Sequence, residues 1–208
     1  MRIKDINEFN EKYLDVLREV GNIGAGNAAT ALSEMLGYMV KVSVPSVKVA
    51  DMKDVAKEID TGDEEVIAIL INLDQDLIGT ILTVLYKPFV NELIKTFLGC
   101  EIKTTEDLRA NEMAKSALSE VGNITAANYV NALARLSKMT INILTPDLHI
   151  EKLQDMMEKQ TKAFKEFGDK VVLIDESFII KDEEYKSSMI LMLELDSLND
   201  LMEKLGVE

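Results

Sequence analysis

Two sets of polar side chains have the types and the spacing to share a helix face and to act on a reactive group. They are Asp15, Glu19 and Asn22, and, further along the chain, Ser116, Glu120 and Asn123. Residues at positions i, i+4 and i+7 lie on the same side of an α-helix. We therefore expect each set to form an outward row in which a carboxylate precedes a carboxamide by about one turn.

The carboxamides define what these rows can do. Asn22 and Asn123 each offer two N–H donors and one acceptor oxygen in a plane, and an amide is neither an acid nor a base near neutral pH. Such a group suits the orientation of an attacking water, as a glutamine does in GTPases. The Glu one turn earlier can accept a proton or pair with a cation on a partner. No nucleophile or set of metal ligands accompanies the rows, so we expect another protein to supply the phosphate and the metal.

The two rows belong to an internal repeat. Residues 15–49 align without a gap onto residues 116–150, at an offset of 101, with 11 identical pairs among 35. A solvated helix face explains one such row. It explains less well why both copies keep the Glu and the Asn while exposed neighbours such as Arg18 and Ser119 differ. A role for the Gly-Asn pairs in packing helices around a pseudo-axis stays open.

The elements that must position the rows follow the same order in each half. In the first half we predict a helix over 6–36, a strand over 40–50, an acidic loop over 51–65, strands over 66–73 and 77–86, and a helix over 88–98. In the second half we predict a helix over 106–138, a strand over 139–150, a charged helical stretch over 151–167, strands over 170–181 and 186–195, and a helix over 197–205. The short turns between neighbouring strands predict antiparallel pairing.

This order predicts an α/β (α+β) fold of two αβββα halves related by a pseudo-twofold axis. The halves span about 1–104 and 105–208, and we expect them to pack as a single domain over 1–208. The sheet is expected to be largely antiparallel, as one sheet or as two abutting sheets. Both long site helices should lie on the outside, with their polar rows exposed.

The helix faces opposite the rows should be buried. The predicted inner residues are Leu17, Val20, Gly24, Ala28, Ala31 and Met35 on the first helix, and Leu118, Val121, Thr125, Tyr129, Ala132 and Leu136 on the second. The first copy has Gly24 and Gly26 where the second has Thr125 and Ala127. We expect this difference to alter how closely a partner helix approaches.

Composition excludes several classes of function. The formal net charge of -14 argues against binding to nucleic acid or to anionic membranes, because both need basic patches. The single cysteine, Cys100, cannot form an internal disulfide, and the one histidine, His149, lies in strand-like sequence. A dedicated zinc site is therefore not expected. The absence of an apolar leader or of a run of about 18 apolar residues predicts a cytoplasmic protein without membrane insertion.

The two rows resemble the signature of the CheC/CheX/FliY-type chemotaxis phosphatases. In each copy the acid or hydroxyl, the Glu and the Asn are followed, after a further 22 residues, by a proline, which is Pro45 in the first copy and Pro146 in the second. Two complete motifs in about 200 residues are most similar to the CheC type. The motifs cover residues 15–45 and 116–146, and the remainder matches by the order of its elements.

The resemblance implies a function and residue roles. Such proteins hydrolyse the aspartyl phosphate of the response regulator CheY. By carry-over, Asn22 and Asn123 would orient the attacking water, and Glu19 and Glu120 would pair with a lysine of the regulator. The supporting motif positions would be Asp15, Pro45, Ser116 and Pro146. No cofactor is implied on this chain, since Mg²⁺ would be held by the phosphorylated partner.

The resemblance also implies CheD as a partner, since CheC-type proteins commonly bind this receptor-modifying deamidase. The residues themselves leave two other classes open. One is a non-catalytic adaptor that binds CheD or a response regulator, and the other is a purely structural repeat protein.

Overall fold

Both halves of the chain fold in the predicted order, and the mixed α/β class is confirmed by the computed structural model, which describes residues 11–43, 46–163 and 170–207. The first half comprises α1 (Glu11–Leu36), β1 (Val40–Val42), β2 (Ser46–Asp51), α2 (Val55–Glu58), β3 (Glu65–Gln75), β4 (Gly79–Leu85) and α3 (Lys87–Leu98). The second comprises α4 (Thr105–Ala110), α5 (Glu112–Ser137), β5 (Ile141–Ile143), β6 (Asp147–Lys152), α6 (Leu153–Ala163), β7 (Lys170–Ile180), β8 (Glu183–Leu193) and α7 (Leu195–Lys204). In these described ranges no helix has the length and apolar character needed to cross a bilayer.

All eight strands join one antiparallel sheet, which resolves the choice between one sheet and two. Its order is β1-β7-β8-β4-β3-β5, with β2 also paired to β7 and β6 also paired to β3. The halves therefore exchange strands, because each site helix is followed by strands that pair with a hairpin of the other half. At the centre β4 pairs antiparallel with β8, so the pseudo-twofold axis passes between these two strands.

The two faces of the sheet are covered by different helices. On β3, Ile67, Ile69 and Ile71 pack in one core with the buried sides of α1, α3, α5 and α7. The alternate residues Ala68 and Leu70 pack in a second core with α2 and α6. This follows from the two-residue period of a strand, which sends successive side chains to opposite faces. Both site helices consequently lie on the same face of the sheet.

The predicted helix over 106–138 is wrong in its continuity. It is broken at Asn111, where α4 ends and α5 begins. The Asn111 side chain accepts a hydrogen bond from the backbone N–H of Ala114 at 3.0 Å, so this residue caps α5 instead of continuing a helix. Asn is among the best N-cap residues and a weak helix former, which explains the break. The acidic loop predicted over 51–65 also contains the short helix α2.

The strand predicted over 139–150 is interrupted by a β-bulge. Leu73 pairs with Ile143 whereas Leu70 pairs with Asp147, so three residues, 144–146, oppose two residues of β3. Pro146 lies in this bulge, where its missing N–H removes no ladder bond. In the first copy β1 and β2 both pair with β7, with Val42 opposite Phe178 and Ser46 opposite Asp175. Pro45 lies outside the described residues, as do residues 6–10 of the first predicted helix and residues 164–167 of the charged stretch.

Candidate functional site

The first row lies on the outward side of α1, as its spacing predicts. Asp15 and Glu19 are exposed and Asn22 is half-buried. One turn beyond Asn22, the exposed Gly26 leaves the surface open, since no atom lies within 4 Å of the place that a Cβ would take. The carboxylate and the carboxamide are thus exposed on the same helix face, and at Gly26 no side chain projects beside them.

The second row has the same arrangement on α5. Ser116 and Glu120 are exposed, whereas Asn123 and Ala127 are half-buried. The structure therefore brings the three predicted residues of each row onto one helix face, and it keeps the two rows on separate helices. The rows lie on open helix surfaces, and the cavities of about 290 and 310 Å³ are lined by other residues.

The amides of the rows make no internal bonds that would occupy them. In the described part of the chain, neither the side chain of Asn22 nor that of Asn123 has a hydrogen bond, and neither Glu19 nor Glu120 has an ion pair. Asn128 differs, because its side-chain N–H donates to the backbone carbonyl of Ile124 at 2.8 Å. A side chain of this kind inside a helix either bonds to the preceding turn in that way or points to solvent. The row amides therefore remain available to an external molecule.

Charge distinguishes the two rows. In the first, the guanidinium of Arg18 forms an ion pair with Asp15, and both side chains are substantially exposed. The second row has Ser116 and Ser119 at these positions and so lacks the pair. An exposed ion pair contributes little to stability because solvent and salt screen it. Its effect is to place a cation next to Glu19 that has no counterpart next to Glu120.

The Val and Gly between each Glu and Asn serve packing. Val20, Gly21, Val121 and Gly122 are all buried. A Cβ added at Gly122 would lie 2.8 Å from three side-chain carbons of Ile69 on β3. Glycine is therefore required for α5 to approach the sheet this closely. The helix position that follows, Asn123, is set by this contact.

The two glycines after the first motif, Gly24 and Gly26, differ in their surroundings. A Cβ on Gly24 would lie 2.9 Å from both Cα and Cγ of Tyr129, so this glycine faces α5 inside the protein and not a docking partner. Only Gly26 and its counterpart Ala127 lie beside the rows. The expectation for Gly24 and Thr125 is therefore wrong, because both positions are buried between the helices.

The predicted inner faces are mostly confirmed. Leu17, Val20 and Ala28 are buried on α1, but Ala31 and Met35 are only partly buried. On α5 the prediction fails at Leu136, which is 39% exposed. Leu133 and Ser137 take the inward direction in this last turn, so the buried side is rotated relative to the expected one.

Sequence reasoning missed a polar contact beneath the rows. Tyr129 donates a short hydrogen bond to Oε2 of Glu176 on β7, and both side chains are buried. Burial raises the pKa of Glu176 to about 7, and the hydrogen bond from Tyr129 opposes this rise. The available signal was the strand pattern, since Glu176 falls at an inward position between Ile174 and Phe178. Among the described residues no cluster of three or more His, Cys, Asp or Glu could hold a metal ion.

Known proteins are similar to this chain in sequence. The sequence model of the CheC-like family matches residues 14–49 and 113–150, which are the two segments that carry the rows. This confirms the resemblance to the CheC/CheX/FliY-type family. The chain is 29% identical to the CheY-P phosphatase CheC of Bacillus subtilis, over 96% of this chain and 97% of that protein. It is 28% identical to the flagellar motor switch phosphatase FliY of Bacillus subtilis, over 92% of this chain but 48% of that protein.

Solved structures show that the fold is shared. The crystal structure of Thermotoga maritima FliY matches with a TM-score of 0.77 and 24% identity, over 96% of this chain and 98% of that one. The FliM middle domain from H. pylori matches with a TM-score of 0.61 and 12% identity, over 94% and 99%. At these identities the structural likeness supports the architecture alone.

Proposed function

We propose that this chain is a phosphatase that hydrolyses the aspartyl phosphate of a CheY-type response regulator. The observation that carries the proposal is the duplicated row, in which an exposed Glu stands one turn from an Asn whose amide is not bonded within the described chain. The 29% identity to CheY-P phosphatase CheC over nearly the full length supports it.

In this proposal each row completes the active site of its partner. The side chain of Asn22 or Asn123 enters the regulator's site and uses its acceptor oxygen and N–H donors to orient a water molecule. The water attacks phosphorus, the bond between phosphorus and the aspartyl oxygen breaks, and inorganic phosphate and a free carboxylate result. Because the water is already held in line with the bond that breaks, the entropic part of the activation free energy is lower. Mg²⁺ on the partner would neutralise charge on the phosphoryl oxygens.

The glutamates provide docking. Glu19 and Glu120 are exposed and stand one turn before each Asn, so an ion pair with a regulator lysine would fix the depth and the rotation of the amide. Asp15 and Ser116 precede them by one further turn and line the same contact. The net charge of -14 favours approach of a basic surface, and this attraction weakens with salt.

The test is a phosphate-release assay with the whole chain. A CheY-type regulator is phosphorylated with a small phosphodonor, freed of the donor and incubated with Mg²⁺, with or without this protein. The proposal predicts faster loss of phosphate with the protein than with the regulator alone. An unchanged rate, at concentrations where the two proteins bind, would refute it.

The second candidate is a non-catalytic adaptor for CheD or for a response regulator. It is favoured by one observation, namely that the rows lie on open helix faces outside the cavities at α3 and at β7. The same assay separates the candidates, because an adaptor would bind the regulator without accelerating phosphate release.

A further inference from the structure

The repeat is asymmetric at the point where the two site helices meet. At the offset of 101, Tyr129 of α5 corresponds to Ala28 of α1, and Gly24 of α1 corresponds to Thr125 of α5. Tyr129 packs directly onto Gly24, since a Cβ there would lie 2.9 Å from the tyrosine Cα and Cγ. At this contact α1 has a glycine, which lacks a side chain, and α5 has an aromatic ring. The ring fixes how the two helices lie against each other.

The hydroxyl of this ring is held by a carboxyl group in the core. Tyr129 is 2% exposed and donates to Oε2 of Glu176, which is 3% exposed. The other carboxyl oxygen, Oε1, is buried and has no hydrogen-bond partner in the part of the chain that the structure describes. A buried ionised carboxylate with one hydrogen bond and no cation is costly, whereas its neutral form is tolerated.

Lys186 of β8 lines the same cavity as Glu176, together with the acidic residues Asp175, Glu58 and Asp60. Among the described residues the groups that shift the pKa of Glu176 are nevertheless its apolar surroundings and Tyr129, and no cation lowers it. From α5 the facing group is Tyr129, and the buried side of α1 is formed by apolar residues together with Tyr13. From β8 the residue opposite is Ser187, and Tyr185 on the same face donates instead to Glu183 at 2.8 Å. On the other side of β7, the facing hydroxyl is that of Ser43, which accepts from the backbone N–H of Ser177.

Remaining influences on Glu176 are therefore burial and the tyrosine. Burial, the larger, raises the pKa of Glu176 to about 7, and the hydrogen bond from Tyr129 lowers it. The pKa of Tyr129 is itself raised well above its usual value by burial and by Glu176, so its hydroxyl stays protonated. The carboxyl group changes its charge in the physiological range of pH.

The contact between Tyr129 and Gly24 lies next to both candidate sites. Gly24 follows Asn22 by two residues and Tyr129 follows Asn123 by six, which corresponds to about 3 and 9 Å along the helix axes at 1.5 Å per residue. A change in the spacing or rotation of the helices at this contact would shift both amides. A displacement of about 1 Å at a reacting group can cost up to about 100-fold in rate.

We infer that Tyr129 and Glu176 are a positioning pair, which in its fully protonated form holds the two site helices in the arrangement that presents Asn22 and Asn123. The inference rests on the proposed phosphatase function and adds a pH-dependent control to it. Neither residue contacts the reacting atoms. Their effect is carried by the packing of α5 onto Gly24 and onto β7.

The test uses two variants of the pair and one matched control. Glu176→Gln keeps the shape and the acceptor but cannot ionise, and Tyr129→Phe removes the hydroxyl alone. The control is Tyr185→Phe, which removes another tyrosine–glutamate hydrogen bond from the same core but away from the site helices. For each protein, kcat and KM for a phosphorylated regulator are measured from pH 6 to pH 8.5.

We expect kcat of the wild type, divided by that of Glu176→Gln, to fall about 30-fold between pH 6 and pH 8.5, because a carboxyl with a pKa of about 7 goes from about 90% to about 3% protonated over this range. KM should change little, because the docking glutamates are on the surface. Tyr129→Phe should lower kcat at pH 6, and Tyr185→Phe should follow the wild type at every pH. A ratio that stays constant with pH, or a Tyr129→Phe variant that behaves like the control, would overturn the inference.

A second measurement does not depend on phosphatase activity. With ¹³C-labelled glutamate, the carboxyl resonances are followed by NMR from pH 5 to pH 9 together with hydrogen exchange of α1 and α5. One resonance should titrate near pH 7 and be missing in Glu176→Gln. The protection factors of the amides near residues 24 and 129, which correct for the base-catalysed rise of intrinsic exchange with pH, should fall above pH 7 in the wild type only. If these changes appear without any phosphatase activity, the proposed function fails and the helix-positioning contact stands. If they do not appear, the inference fails whatever the activity.

Discussion

A single added methyl group at Gly122 tests how tightly the motif helix is seated on the sheet. In Gly122→Ala, the new Cβ would lie 2.8 Å from Cβ, Cγ1 and Cγ2 of Ile69, whereas relaxed carbon contacts are about 3.5–4.0 Å. Ile69 cannot move aside easily, because it is fully buried on β3 between β4 and β6. Overpacking of this kind costs about 1–3 kcal/mol.

The same substitution at Gly26 is the matched control. Gly26 is also inside a helix, but nothing lies within 4 Å of its added Cβ, and the second repeat has Ala127 there. Replacing a helical Gly by Ala stabilises a helix by about 1 kcal/mol. Gly26→Ala should be stabilised by this amount. Gly122→Ala should gain the same helix stabilisation, but overpacking against Ile69 should destabilise it. The variants should differ in free energy of unfolding by about 1–3 kcal/mol.

Urea unfolding followed by far-UV circular dichroism measures this difference, provided that the dependence on urea has the same slope in both variants. The packing argument would be refuted if Gly122→Ala were stabilised as much as Gly26→Ala. That outcome would mean that α5 does not approach β3 as closely as described. Asn123 would then lie at a different distance from the sheet.

Three further outcomes are expected. The pKa of Glu176 is raised from 4.5 to about 7 in the folded chain, so the wild type should lose about 3 kcal/mol of stability between pH 4.5 and pH 8 relative to Glu176→Gln. Urea unfolding at each pH measures this loss. If the free energies of unfolding of the two proteins ran parallel with pH, the prediction would be contradicted. Asn111→Ala removes the cap of α5 and should destabilise the chain by about 1 kcal/mol in the same assay, whereas no loss would show that the cap is dispensable. Replacing Glu19 and Glu120 together by Gln should raise KM for the phosphorylated regulator more than it lowers kcat, and the reverse would argue against a docking role.

The helices and their exposed rows were predictable because they depend on local periodicity. Spacings of three and four residues place Glu19 and Asn22 on one side of α1 whatever the rest of the chain does, and the second copy gives an independent example. The break at Asn111 was less accessible. Its cap competes with a continuous helical pattern, and the pattern alone does not determine which of the two prevails.

The antiparallel hairpins β3–β4 and β7–β8 were predictable from their short turns. Strand pairing between the two halves could not be predicted, because it depends on contacts between distant residues. Alternation along β3 indicates which side chains share a face, but it does not identify a partner, and β1 pairs with β7 some 140 residues away. The contact between Tyr129 and Glu176 depends on that pairing and on the crossing of α1 and α5. A glutamate at an inward strand position was visible in the sequence, but its hydrogen-bond partner was not.

The central claim is that Asn22 and Asn123 act on the phosphoryl group of a partner, and the most direct measurement is the initial rate of phosphate release with both replaced by Ala. The matched control replaces Asn27 and Asn128, which are equally duplicated and of which Asn128 is bonded to its own helix. We predict that the first variant loses a factor of about 100 or more while still binding the regulator, and that the control stays near the wild-type rate. A wild-type rate in the first variant would contradict the account.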